Sequence, residues 1–157
     1  MTATMTLRAA RKAEAAALSA LALRSKAHWG YDAAFMEACR AELTVTPERI
    51  RADALVVAER DGRLAGFYAL GRIGPREADV LKFFVDPPFI GSGVGRALFE
   101  HMAATARDHG YETLVIEADP DAAPFYARMG AVPAGTAPSG SIPGRVLPRF
   151  TYDLRDR

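Results

Sequence analysis

Apolar positions recur along this chain in two periods, and the places where one period yields to the other mark out its elements. Residues 4–8 read as a short strand. Residues 9–27 are alanine-rich, with Leu18, Leu21, Ala22 and Ser25 at helical spacing on one face. His28, Trp29, Gly30 and Tyr31 interrupt that pattern. Asp32 then stands as an N-cap before Phe35, Cys39 and Leu43, spaced by four, which predicts a second helix. Thr46 before Pro47 is another cap with proline at the first helical position. Leu55, Val56, Val57 and Ala58 form one strand and residues 64–70 another, joined by the hairpin dipeptide Asp61-Gly62.

Gly74-Pro75 turns the chain into a strand that runs to Val85 and is stopped by Asp86-Pro87-Pro88. Three glycines follow in alternate positions, Gly91, Gly93 and Gly95, and a helix begins there with Val94, Leu98, Met102 and Ala106 on one face. Leu114, Val115 and Ile116 are apolar on both faces, as a buried parallel strand should be. Phe125 and Met129 face one way on a last helix that Gly130 ends. Residues 135–144 read as loop, and a final strand lies near residues 150–154. The order hairpin, strand, helix, strand, helix, strand predicts a mixed sheet with a parallel crossover around the glycine turn.

Composition narrows the class. Half of the 157 residues are hydrophobic and 25% charged, an ordinary balance for a globular chain that reads as one domain over residues 1–157. A net charge of +1 without a basic cluster gives no footprint for nucleic acid. The one cysteine, Cys39, rules out an internal disulfide, and no metal-type Cys/His spacing appears. No apolar run approaches the roughly 20 residues of a membrane span. Several basic residues and one acid, Glu14, in the first 25 positions would suit a transit peptide, but a first helix accounts for them. The expectation is a cytoplasmic protein without membrane or metal.

A strand, a glycine-rich turn and a helix N-terminus together make an anion site, because free backbone N–H groups converge there on the positive end of the helix dipole. Glycines let a phosphate approach the main chain, and Arg96 in the first helical turn adds a charged donor. A Walker A loop and the third glycine of a dinucleotide fingerprint both fail at Arg96. The stretch resembles instead the pyrophosphate loop of the GNAT acyltransferases, Gln/Arg-x-x-Gly-x-Gly/Ala, mapped onto Ile90, Gly93 and Gly95. Ile90 departs from that pattern. Downstream, Asp119, Ala122, Phe125, Tyr126, Gly130 and Ala131 keep the spacing of the family's second motif, with Asp119 for Asn and Ala131 for Phe. The resemblance covers roughly residues 54–135.

What the resemblance implies is an α/β (α+β mixed) fold: a central, mostly antiparallel sheet with a splayed parallel strand pair, flanked by helices. It also implies acetyl-CoA as acyl donor and N-acetyl transfer to a small-molecule or peptide amine. Backbone groups of Phe83 and Val85 would pair with the pantetheine arm. Gly91, Ser92, Gly93, Val94, Gly95 and Arg96 would hold the pyrophosphate, and Asp119 would lie beside the arm. Tyr126 is the candidate acid for the leaving thiolate, since a phenol with pKa near ~10 is protonated at neutral pH. Trp29, Tyr31 and Arg145 are the candidate acceptor contacts.

An alkyl ammonium is only about 0.1% neutral at pH 7, so a base is needed, and Glu77, Asp79 and His28 are the candidates. A ping-pong route through Cys39 is disfavoured by its place on an apolar helix face. Two other classes stay open: a non-catalytic acyl-CoA sensor, and a nicotinamide-dependent oxidoreductase with Glu117 on the ribose. The oligomeric state is open, a homodimer included.

Overall fold

The computed structural model describes residues 4–52 and 54–155. Seven strands form one sheet: β1 (Met5–Ala9), β2 (Ala54–Arg60), β3 (Arg63–Arg72), β4 (Glu77–Val85), β5 (Thr113–Glu117), β6 (Val132–Pro138) and β7 (Val146–Asp153). They lie in the order β1-β2-β3-β4-β5-β7-β6, and every neighbouring pair is antiparallel except β4 and β5. The helices are α1 (Ala15–Ala27), α2 (Ala33–Leu43), α3 (Pro47–Ala52), α4 (Val94–Asp108) and α5 (Ala123–Arg128). The mixed, mostly antiparallel sheet with one parallel pair is the fold expected above. A doubly wound sheet for a dinucleotide is not: that architecture needs several parallel strands, and this one has a single parallel pair.

Each sheet face carries its own core. On one side α4 buries Val94, Leu98, Met102 and Ala106 against Tyr68, Leu114 and Ile116. On the other, α1 and α2 bury Leu18, Leu21, Ala22, Cys39 and Leu43 against Leu55, Val57 and Phe67. Side chains such as Leu18, Leu21, Leu98 and Met102 are fully enclosed, each contributing roughly 1.5–3 kcal/mol by leaving water. Local signals act where the sequence places them. Asp32 accepts from the N–H of Phe35 at 2.8 Å and starts α2, and Thr46 accepts from Arg49 at the start of α3. Asp61 and Gly62 take positive φ, 51° and 80°, to close the β2–β3 turn.

Three elements differ from the sequence expectation. The first helix starts at Ala15, not residue 9, because Ala9 pairs with Val56 in the sheet and the Glu14 carboxylate gathers Arg8 and the Arg11 N–H into a turn. Part of the expected loop at 135–144 is strand β6, which Pro133, Gly135 and Pro138 disguise. Prolines are tolerated there because β6 is an edge strand, and Gly135 sits in a register shift at φ 90°. The last strand begins at Val146 rather than near residue 150, and β7 inserts between β5 and β6.

Candidate active site

The parallel strands part company early. β4 pairs with β5 only from Glu77 to Asp79, opposite Thr113 to Val115. From Val80 to Val85, β4 keeps β3 on one side and has no strand among the described residues on the other, while β5 stays paired with β7 as far as Glu117. Between the diverging ends lies a cleft of about 680 Å³. A register shift opposite Ala69 and Leu70 leaves Leu81 unopposed and re-aims the strand beyond it. Phe83 and Val85 therefore pack toward the α4 core and Phe84 toward the other. The main chain of Phe83 and Val85 on that edge has no strand partner among the described residues, as an extended ligand would require.

The glycine turn closes one end. Gly91 and Gly93 have φ of 81° and 92°, a region that favours glycine, and nothing lies within 4 Å of where their side chains would be. Gly93 caps α4, so the N–H groups of Val94, Gly95 and Arg96 belong to its first turn and lack intrahelical partners. Gly95 has a different reason to be glycine: a Cβ there would stand 3.1 Å from the Phe125 ring, so its absence lets α5 pack on α4. Ser92 braces the turn. Its hydroxyl and N–H donate to the Phe89 carbonyl, and its own carbonyl accepts from Arg60 at 2.8 Å. Arg96 is 65% exposed, with Glu100 3.8 Å away, an exposed pair weak enough to yield to a phosphate. Arg128, the last residue of α5, lines the same cleft and was not singled out from the sequence.

Ile90 is 41% exposed beside these groups. Since the cradle is backbone, Ile90→Arg is expected to keep CoA affinity or raise it a few-fold in calorimetry. Loss of binding by that folded variant would remove Ile90 from the phosphate site.

Tyr126 lies on α5 and is buried, its ring among Phe83, Phe99, Phe125 and Phe150 at centroid distances of 5.9, 6.4, 5.3 and 6.3 Å. It lines the cleft, and its hydroxyl makes no hydrogen bond to a described residue. Burial, then the charge of Asp119, pushes the phenol above its ordinary value, so it stays protonated throughout the neutral range.

Opposite the glycine turn, the cleft is walled by α1, α2 and the β6–β7 loop. Here Tyr31, Arg145 and Asp119 meet, joined by Lys26, which the sequence reading missed. Asp119 accepts from Lys26 Nζ at 3.0 Å and from the Tyr31 hydroxyl at 2.8 Å, and Arg145 Nη2 stands 3.6 Å from it while donating to Tyr31 at 2.8 Å. Tyr31 stacks on Phe35, and both cations lie against that ring pair. Burial raises the Asp119 carboxyl, but the Asp121 N–H, Lys26 and Tyr31 outweigh it and hold it below its ordinary value. Burial and then Asp119 push Tyr31 up to about 12. Arg145 is thus neither a free anchor for a carboxylate nor a solvated surface group. Its side chain is 18% exposed and tied to Asp119. Trp29 is 40% exposed, set edge-on to His28, and lines the cleft.

Of the candidate bases, Glu77 and His28 are exposed, and Asp79 is half-buried where β4 and β5 diverge. Burial, then Glu117, raises the Asp79 carboxyl, with Arg149 opposing them. Cys39 is buried and also touches the cleft from α2. Among the described residues no group of His, Cys, Asp and Glu is placed to hold a metal, and no helix is long and apolar enough to cross a membrane.

Comparison with known proteins agrees with this geometry. An uncharacterised N-acetyltransferase of Mycobacterium tuberculosis is 32% identical over 108 residues, 67% of either chain. A 5-NmdU N-acetyltransferase of Pseudomonas phage PaMx11 is 33% identical over 86 residues, 54% of this chain and 61% of its own. Among solved structures, a GCN5-related N-acetyltransferase from Rhodopseudomonas palustris superposes with a TM-score of 0.78 at 24% identity, covering 98% of both chains. The PaiA N-acetyltransferase of Thermoplasma acidophilum, solved with coenzyme A, gives 0.76 at 15% identity over 96% of this chain and 99% of its own. The sequence model of the acetyltransferase (GNAT) family matches residues 20–131, which take in the splayed strands, the glycine turn and α5. With that match over most of its length, the chain belongs to the GNAT family of acetyltransferases, whose acyl donor is acetyl-CoA.

Proposed function

We propose that this protein, acting as one catalytic domain, transfers the acetyl group of acetyl-CoA to a primary amine by direct attack while both substrates are bound. The observation that carries the reading is the early divergence of β4 from β5, with a glycine-capped helix N-terminus at one end and a buried phenol inside. The pyrophosphate rests on the backbone of Gly91, Gly93, Val94, Gly95 and Arg96, with Arg96 and Arg128 supplying positive charge. The arm runs along the open edge of Phe83 and Val85. The amine nitrogen bonds to the acyl carbon, the carbon–sulfur bond breaks, and the Tyr126 hydroxyl gives its proton to the departing sulfur, while the proton that nitrogen sheds as it becomes an amide restores the phenol. The ammonium proton lost before attack leaves through water toward Asp79 and Glu117, the carboxylates where β4 and β5 diverge.

The acceptor enters from the side of Trp29 and Tyr31. Those two residues shape its groove, and Arg145 does so through Tyr31 and Asp119. Asp119 acts on the acceptor side as well as beside the arm, because the loops that cover the groove are fastened to it.

The test is thiol release from acetyl-CoA with a panel of primary amines, alongside calorimetric titration of CoA. Binding with amine-dependent release is the expected result. Binding without release on any amine would make the chain an acyl-CoA-binding module instead.

A further inference from the structure

The charges around the acceptor groove are unevenly committed. The cations on that side that line the cleft already have counterparts: Lys26 and Arg145 hold Asp119, and Lys82 has an interaction of its own within the fold; nearby, Arg24 holds Asp86 with two contacts of 3.0 Å, and Arg149, opposite Glu117 across the β5–β7 ladder, lies outside the lining. The acids are engaged too, with one exception. Asp119 has two cations, Glu42 accepts from Ser141, and Asp121 lies 3.4 Å from the Tyr31 hydroxyl. Glu117, at the end of β5, lines the cleft, is exposed, and makes no hydrogen bond or ion pair to any described residue. Its charge is felt by Asp79, whose carboxyl is raised by burial and by Glu117. The rest of the wall on this side joins apolar Trp29, Cys39, Leu43 and Leu147 to Ser25 and to Ser139 and Ser141, whose hydroxyls are engaged with the Ser141 and Ile142 N–H groups and with Glu42.

We propose that the acceptor is a primary amine on an apolar or aromatic body that carries no carboxylate, with Glu117 receiving its ammonium group, because Asp119 occupies the cations that a carboxylate would need. This rests on the N-acetyltransferase reading and adds the substrate class to it. A carboxylate brought into the groove would meet Glu117 as a like charge and would have to break the Asp119 pairs to find a donor. A desolvated anion without a partner is the arrangement that binding sites reject most strongly. An ammonium meets the opposite situation, an acid already facing the cleft. Asp119 is in this respect a specificity-determining residue that acts through Lys26 and Arg145 rather than by touching the acceptor.

Three matched probes test it: 2-phenylethylamine, L-phenylalanine amide and L-phenylalanine, which share a body and differ in what replaces the carboxylate. Thiol release from acetyl-CoA gives kcat/KM for each. For the wild type, both carboxylate-free amines are expected to exceed L-phenylalanine by about tenfold or more. Asp119→Asn keeps an oxygen for the Tyr31 hydroxyl and the Asp121 N–H but releases Lys26 and Arg145, so the ratio should narrow severalfold, chiefly through a lower KM for L-phenylalanine. Glu117→Gln should narrow it from the other side, by raising KM for the two amines. If thermal melting shows Asp119→Asn to be unfolded, the Glu117→Gln ratio decides alone. L-phenylalanine turned over as well as the amide, or ratios unchanged in the folded variants, would overturn the proposal. So would no acetylation of any probe while CoA still binds, whereas loss of CoA binding itself would overturn the site reading beneath it.

Discussion

Replacing Tyr126 by Phe is expected to lower kcat by roughly 10²-fold, within the range for loss of one general acid. CoA affinity should hardly change, because the ring keeps its contacts with Phe83, Phe99, Phe125 and Phe150. The same burial that raises the phenol keeps it protonated, so the defect should persist across neutral pH rather than appear at one end of the profile. A donor with a better leaving thiol should shrink the loss, since a stable thiolate needs no proton. Single-turnover measurement isolates the chemical step from product release. A wild-type single-turnover rate in the Phe variant would remove Tyr126 from the chemistry and leave it as packing.

Gly93→Val should weaken CoA by about 100-fold, or about 2.7 kcal/mol. Two effects act together. Gly93 sits at φ 92°, where a β-branched residue is strained by on the order of 1–3 kcal/mol, and relief of that strain turns the N–H groups of α4 away from the cleft. The added side chain also points into open space at the mouth where a phosphate approaches. Gly110→Val is the control: it has φ 86° and open surroundings too, but lies beyond the other end of α4. Similar melting temperatures with CoA binding lost only at position 93 are the expected pair of results in calorimetry. Equal CoA affinity in both variants would show that the glycine turn does not hold the diphosphate.

How much of this was legible in the sequence depended on range. The Asp61-Gly62 hairpin, the α4 stripe from Val94 to Ala106, the glycine turn and the spacing from Asp119 to Gly130 are local patterns, and the structure forms the corresponding elements where they were read. Strand β6 was hidden because its prolines and glycine are turn signals that only an edge position makes compatible with pairing. The partners of Asp119 were hidden for a different reason. Lys26 and Tyr31 lie 93 and 88 residues from it in sequence, and Arg145 lies 114 residues beyond Tyr31, so no period or spacing links them. Gly95 shows the limit of motif reading at a single residue: it falls in the glycine turn, yet its missing side chain makes room for Phe125. Arg145 shows the same limit for charge, since a guanidinium on a loop reads as free until its counter-ion is located in space.

In the function proposed above, acetyl-CoA lies in the splay between β4 and β5 with its sulfur at Tyr126. A crystal structure with CoA bound tests this directly. It should show the diphosphate on the N–H groups at the start of α4, the arm paired with the open edge of Phe83 and Val85, and the sulfur within roughly 3.5 Å of the Tyr126 oxygen, the reach of a hydrogen bond. Density for CoA elsewhere on the molecule, or an arm that leaves the thiol remote from Tyr126, would contradict it.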